Sequence, residues 1–219
     1  MKVLRNNLLL LLLICPCAAN AGEAFDSITG RWIWINTVTH ALEVIQDGEV
    51  KQRFRNIAIG RNGYAIQRKQ GDGTTPLGTF HVVWINTDSR FDIFLGLDYP
   101  NQQQAEMAWR NNLIDFDTYY AIRRALAKGR VPPQDTALGG YIGIHGTGHS
   151  ISERLHRFVN WTQGCVALTN RQIESLARWV SVGMKVVISN GALATNTAVN
   201  TVSSTTVSST LRPKTDNRE

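Results

Sequence analysis

Two short runs early in the chain, Arg31-Trp32-Ile33-Trp34-Ile35-Asn36 and Ala41-Leu42-Glu43-Val44-Ile45-Gln46, are dense in aliphatic and aromatic residues at strand length. Asp47-Gly48 follows the second run, a dipeptide that favours a two-residue hairpin turn, and Glu49 to Ile59 resumes as a third predicted strand. Gly71 to Gly78 is a turn region rich in glycine and threonine, and it leads into a predicted strand over Thr79 to Ile85. The N-terminal half therefore reads as a β-meander. Later the pattern changes. Asp117 to Lys128 has helix-forming composition with an acidic cap, and Gly129 stops it before Pro132-Pro133. Tyr141 to Ile144 is a short apolar run of strand type. Thr169 or Asn170 is placed to cap a helix whose Ile173, Leu176, Ala177 and Val180 recur at helical spacing. Gly183 ends that helix, and Lys185 to Ile188 reads as a closing strand. The expectation is one mostly β domain with one to three packed helices.

The two ends do not fit that domain. Lys2 and Arg5 precede an unbroken apolar run from Leu8 to Ile14, and Ala19-Asn20-Ala21 supplies small residues for cleavage. These are the parts of a secretory signal peptide, expected over residues 1–21. The run is too short for a permanent bilayer span, which needs about 20 residues. Cys15 and Cys17 raise a lipoprotein alternative, but Ile14 and Pro16 before them are not the small residues that route needs. From about residue 190 Thr, Ser, Asn, Ala and Val dominate, so residues 190–219 are expected to be a disordered tail. Residues 22–189 remain for the fold. Their apolar share is ample for a core, since the chain is 43% hydrophobic with six tryptophans. Trp32, Trp34, Trp84 and Trp179 are expected in it. The formal charge of +6 includes Lys2 and Arg5. A mild positive balance in an exported chain suits an anionic envelope polymer. The basic residues form no run or stripe, which argues against nucleic acid.

Removing the signal leaves one cysteine, Cys165, in the run Trp161-Thr162-Gln163-Gly164-Cys165. Exported chains meet an oxidising compartment, where cysteines ordinarily pair. A lone thiol there is either inert packing or a reactive group. Gly164 beside it and the His145-Gly146 step at a predicted strand end favour reactivity. A thiol attacks as its thiolate and needs a base, for which His145 is the candidate. Gly146 permits a sharp turn after it. Acyl transfer also needs converging N–H donors for an oxyanion, and Gly164 allows the tight loop that would supply them. Thr162 is placed to hold that loop, and Trp161 to wall the pocket. The blander readings are local. His149 and His156 read as loop residues, His40 and His81 as half-buried ones, and Glu153 and Arg154 as a solvated face. His145 and His149 at i, i+4 hint at zinc, but the glycines between them oppose a helix, and no metal is expected.

Together these residues resemble the L,D-transpeptidase catalytic domain, also called YkuD. The pattern is His145-Gly146 followed by Thr162-Gln163-Gly164-Cys165. Thr75-Pro76-Leu77-Gly78-Thr79-Phe80, Tyr99-Pro100-Asn101 and Ala167-Leu168-Thr169-Asn170 resemble further family segments. The resemblance runs from about Arg31 to Ile188. It implies a β-sandwich-like fold and a monomer working in the periplasm or cell envelope without a cofactor. Its partners would be peptidoglycan stem peptides, with neither nucleic acid nor stable membrane insertion. Cys165 would attack the third residue of a tetrapeptide stem and expel D-Ala, and the acyl group would pass to an amine, giving a 3-3 cross-link. His145 would move the proton, oriented by a backbone carbonyl. Backbone amides around Gly164 would hold the oxyanion. Gly146, Trp161, Thr162 and Gln163 are the expected substrate-binding positions. Two positions depart from the family. Gln163 stands where many members have His, and Ala167 where many have an Arg, so another group would have to hold the substrate. Two alternatives stay open: a hydrolase of the same fold, which passes the acyl group to water, and a non-catalytic wall-binding module. Papain-like peptidases place the cysteine before the histidine, the reverse of the order here.

Overall fold

The computed structural model of the protein describes residues 30–191. The expected signal segment, and the expected tail beyond residue 191, lie outside the described residues. Ten strands and four helices follow one another. They are β1 Arg31–Asn36, β2 Ala41–Gln46, β3 Glu49–Arg55, β4 Tyr64–Ala65, β5 Thr75–Pro76, β6 Gly78–Ser89, β7 Asp92–Leu97, α1 Gln102–Arg110, α2 Phe116–Ala127, β8 Gly143–His145, α3 Glu153–His156, β9 Val166–Ala167, α4 Asn170–Ala177 and β10 Lys185–Ser189. The mostly β expectation holds. The helix count does not, because four helices form among the described residues where one to three were expected.

Several elements follow directly from local chemistry. Asp47 and Gly48 both take positive φ, 53° and 80°, so β2 and β3 are joined by the left-handed two-residue turn that matches strand twist. Thr169 caps α4 in a full capping box with Gln172, and Ile173 and Leu176 are buried under it. Asp115 caps α2, so that helix starts one residue before the expected position. Asn101 caps α1, a helix the sequence reading did not include.

The meander expectation needs correction. Eight strands form one sheet in the order β3-β2-β1-β10-β6-β7-β8-β9. The last strand, β10, therefore lies between β1 and β6, parallel to the first and antiparallel to the second. The third strand also stops early, at Arg55. Asn56 takes φ 57°, which turns the chain out of the ladder, and the apolar Ile57-Ala58-Ile59 crosses to β9 instead. There Ala58 donates to the Ala167 carbonyl at 2.9 Å and Ala167 donates back at 2.8 Å. The two ends of the strand order thus meet, and one sheet folds over on itself into a sandwich-like shell. Its core contains Ile33, Ile35, Leu42, Phe80, Leu95 and Leu168, all fully buried. α4 packs on β7 and β8. This fixes the two short strands β8 and β9 against the rest of the fold, and both candidate chemical groups are on them or at their ends. No helix among the described residues is long and apolar enough to cross a membrane.

Candidate active site

His145 is the last residue of β8, and Cys165 immediately precedes β9. The two strands pair in parallel with Ile144 opposite Val166 and His145 opposite Ala167. Continuing that register by one residue puts Cys165 beside Gly143, so His145 and Cys165 are diagonal neighbours on one face of the sheet. Both side chains line one cleft of about 460 Å³, together with Arg90, Phe91, Phe94, Tyr141, Trp161 and Gln163 among others.

His145 is buried and enclosed by rings. Phe91 lies 4.3 Å away, Phe94 stacks at 5.8 Å with an 8° interplanar angle, and Trp161 meets it edge-on at 5.8 Å. Its Nδ1 lies 2.6 Å from the Gly146 carbonyl. A carbonyl accepts only, so Nδ1 carries the hydrogen and Nε2 keeps its lone pair. The expected orientation by a backbone carbonyl is therefore present. Burial pushes the imidazole down to about 4, against the Gly146 hydrogen bond, and the positive charges of His156 and Arg90 add to the effect. At neutral pH the ring is a neutral base.

Gly146 does not line the cleft. A side chain there would sit 2.6 Å from the Phe91 carbonyl and 2.8 Å from Asn170 Oδ1, so glycine is required by close approach rather than by a turn. Asn170, at the start of α4, holds the same loop. Its Oδ1 accepts from the Gly148 amide at 2.8 Å and the Thr147 hydroxyl at 3.0 Å.

The cysteine loop is braced from within. Thr162 is buried; its hydroxyl donates to the Cys165 carbonyl at 2.6 Å and accepts from the Gly164 amide at 3.2 Å. Thr162 therefore holds the loop's shape, as expected. The Gly164 N–H is already committed, which removes it as a free oxyanion donor. Gly164 itself takes φ 129°. Cys165 is the one free cysteine among the described residues. Its thiol donates to the Tyr141 carbonyl at 3.3 Å. Burial pushes the thiol up to about 11, against the Gly143 backbone and the positive charge of Arg68, which both favour the thiolate.

Sequence reasoning missed the supports drawn from distant segments. Tyr141 takes φ 52°, which ends the expected strand there and aims its carbonyl at the thiol. Gln134 fixes it by accepting from the Tyr141 amide at 2.6 Å while donating to the Tyr99 carbonyl at 2.8 Å. Arg68 reaches the loop from behind, donating to the Gln163 carbonyl at 3.3 Å. Two histidine expectations also need correction. His156 is buried on α3, not in a loop, and its Nδ1 accepts from the Trp161 indole at 3.2 Å. His81 is exposed beside Asp98, because its side chain points outward from β6. His149 is exposed. Among the described residues no cluster of three His, Cys, Asp or Glu side chains is placed for a metal.

Between pH 6.5 and about 4 the unfolded chain binds a proton on residue 145 that the folded chain refuses. Stability is fully present above that window and falls as pH drops through it, by about 3 kcal/mol from this group. His145→Gln should flatten the pH dependence of the urea-unfolding free energy across the window. The contribution of His156, also held below its usual value by burial, would remain. An unchanged slope would contradict the buried neutral ring.

With this geometry in hand, the chain can be set beside known proteins. Its fold is similar to that of the helical cell shape determining protein Pgp2 of Campylobacter jejuni, at 18% identity and a TM-score of 0.50, covering 78% of this chain and 53% of that one. It is also similar to Bd1075 of Bdellovibrio bacteriovorus, at 17% identity and a TM-score of 0.46, covering 74% and 48%. A mutant form of an Enterococcus faecium L,D-transpeptidase matches at 13% identity and a TM-score of 0.41, covering 74% and 50%. The chain spans about half the length of these structures. No curated protein sequence matches it. The L,D-transpeptidase catalytic domain, YkuD, matches residues 30–188, all but the last residue of the stretch that builds the curled sheet and carries His145 and Cys165. By that match the chain belongs to the L,D-transpeptidase (YkuD) family.

Proposed function

We propose that this chain is an exported cysteine acyltransferase of peptidoglycan stem peptides, with residues 1–21 as its export signal and the cell envelope as its place of work. The observation that carries the reading is one cleft holding both the Cys165 thiol and an imidazole whose Nδ1–H is pinned to the Gly146 carbonyl. Thiol and imidazole are both neutral in the empty cleft, so the proton moves as the new bond forms, not beforehand. Nε2 of His145 takes the thiol proton while Sγ attacks the carbonyl carbon of the third stem residue. The Cys165 amide is the loop donor left for the oxyanion, since Thr162 occupies that of Gly164. The imidazolium returns its proton to the departing D-Ala amine as the peptide bond breaks, leaving a thioester on Sγ. An amine from another stem then attacks the thioester carbonyl and gives its proton to Nε2; the C–S bond breaks, and the imidazolium returns that proton to the departing Cys165 thiolate.

Trp161 and Gln163 wall the cleft, and Arg90 supplies its one permanently charged side chain. Ala167 is fully buried in β9 and cannot serve as the cation that many family members carry there. Arg90 is placed to meet stem-peptide carboxylates instead.

The raised thiol pKa favours a second reading, a non-catalytic wall-binding module in which Cys165 only packs. Purified tetrapeptide muropeptides, incubated with and without an amine acceptor, decide among the readings. A cross-linked dimer supports transpeptidation, and a shortened monomer in both samples makes the chain a hydrolase. Unchanged muropeptides, with the protein still pelleting on sacculi, would leave the binding module.

A further inference from the structure

Arg68 lies in the loop between β4 and β5, and in the sequence it looks like one more surface cation. In the fold it is 4% exposed. Its guanidinium lies over the face of Tyr99, with Cζ 5.5 Å from the ring centroid. One nitrogen, Nη2, donates to the Gln163 carbonyl at 3.3 Å. The other two, Nε and Nη1, have no hydrogen-bond partner. Nη1 packs directly on Gly164, where an added Cβ would come within 2.7 Å of it.

A buried guanidinium ordinarily has its donors filled and its charge matched. Here the matching is partial. Asp72 Oδ1 stands 3.6 Å from Nε, and its carboxylate is already engaged by the Lys69 and Thr74 amides and the Thr74 hydroxyl. The guanidinium therefore sits in the interior with two unfilled donors and a distant, partly exposed counter-charge, one residue from the candidate nucleophile. Burying an incompletely matched charge costs stability, and a fold that needed only packing would do better with an apolar side chain of similar size. The place where this charge has value is behind the sulfur, where negative charge develops during acyl transfer.

We propose that Arg68 is a positioning residue for Cys165: it holds the Gln163–Gly164 peptide in place and sets a buried positive charge that stabilises the thiolate and the oxyanion formed beside it. The inference rests on the acyltransferase reading, in which that charge develops. The groups that surround the thiol are few. His145 on β8 stays neutral above about pH 4, so its charge is constant through the alkaline range in which the thiol titrates. The Tyr141 carbonyl and the Gly143 backbone face the sulfur from the segment leading into β8, and Arg90 lines the same cleft from the turn after β6. Asp72 opposes Arg68 from its own loop. Burial keeps the Tyr99 phenol protonated through the same range.

The test reads the pH dependence of iodoacetamide alkylation at Cys165, by mass spectrometry of the full chain, and needs no cell-wall substrate. Arg68→Met should raise the alkylation midpoint by about one pH unit or more, and Arg68→Lys should return it most of the way. Asp72→Asn, which leaves the guanidinium less opposed, should move the midpoint the other way. The Asp72→Asn arm decides alone if Arg68→Met does not fold. Acylation by a tetrapeptide stem should fall about tenfold or more in Arg68→Met. Midpoints that stay fixed in folded Arg68→Met, or in Asp72→Asn, would overturn the role of Arg68. Shifted midpoints with no acylation by any stem would instead remove the acyltransferase reading and leave the electrostatic coupling standing.

Discussion

Incubated with a tetrapeptide stem, the wild-type chain should gain the mass of the stem less its terminal D-Ala, and Cys165→Ala should gain nothing. D-Ala release should fall in the variant by about four orders of magnitude or more, as when other covalent nucleophiles are removed. Stability should hardly change. Cys165 is partly exposed as a residue, and its sulfur, which lies inward, meets backbone groups, the Tyr141 carbonyl at 3.3 Å and Gly143, that stay in place when the side chain is shortened. The wild-type thiol should also carry the signature of its surroundings. Because burial pushes it up to about 11, alkylation should keep rising about tenfold per pH unit beyond the point where free cysteine, near 8.5, levels off. A Cys165→Ala protein that still releases D-Ala at the wild-type rate would end the thiol mechanism, whatever the cleft looks like.

What the sequence told of the fold depended on whether the information was local. β1, β2 and β10 were legible because each buries an apolar run, and α4 because a capping box precedes helical spacing of Ile173 and Leu176. The far half of β6 was not, since Asn86, Thr87 and Asp88 are polar and exposed and give no strand pattern. α1 hid in the same way. It begins with three glutamines, and Gln104 is buried only because its side-chain amide finds the Leu77 carbonyl at 3.1 Å. The insertion of β10 beside β1 is a long-range choice that no window of the sequence contains.

The site divides along the same line. Cys165, His145, Thr162 and Trp161 lie within 21 positions, and their signals, a loop glycine, a strand end and a hydroxyl two residues from a turn, are local. Arg68, Gln134, Tyr141 and Asn170 support that core from four other places in the chain. Arg68 precedes a turn with Gly71-Asp72-Gly73, where a cation ordinarily means solvent. The sequence alone gives no sign of the buried His156, because the four-residue α3 turns it inward onto Trp161 and a helix that short leaves no periodicity to read. The Thr75-Pro76 and Tyr99 segments matter to the fold behind the cleft rather than to its lining: the Thr75 hydroxyl accepts from the Gly60 amide at 2.8 Å, and the Tyr99 hydroxyl donates to the Leu138 carbonyl at 2.9 Å.

Gly164→Ala is the smallest change expected to disable the cleft while Cys165 and His145 remain. At φ 129° an L side chain is strained wherever it points. Space makes it worse, since the new Cβ would lie 2.7 Å from Arg68 Nη1 and 2.7 Å from the Thr74 carbonyl. An exposed arginine would swing aside, but Arg68 is buried, and Thr74 presents backbone. The loop must therefore move, and with it the Thr162 contacts to the Gly164 amide and the Cys165 carbonyl. The cost to stability should be about 2–4 kcal/mol in urea unfolding. Acylation should fall about a hundredfold or more, because a displacement near 1 Å suffices for that. Gly129→Ala separates the two causes. Gly129 also has positive φ, 61°, but nothing lies within 4 Å of a Cβ there, and it follows α2 away from the cleft. It should show the strain alone, about 1 kcal/mol, with acylation unchanged. If both variants acylate at the wild-type rate, the loop is not what positions the thiol. If both lose acylation equally, global destabilisation rather than the geometry around Gly164 is responsible.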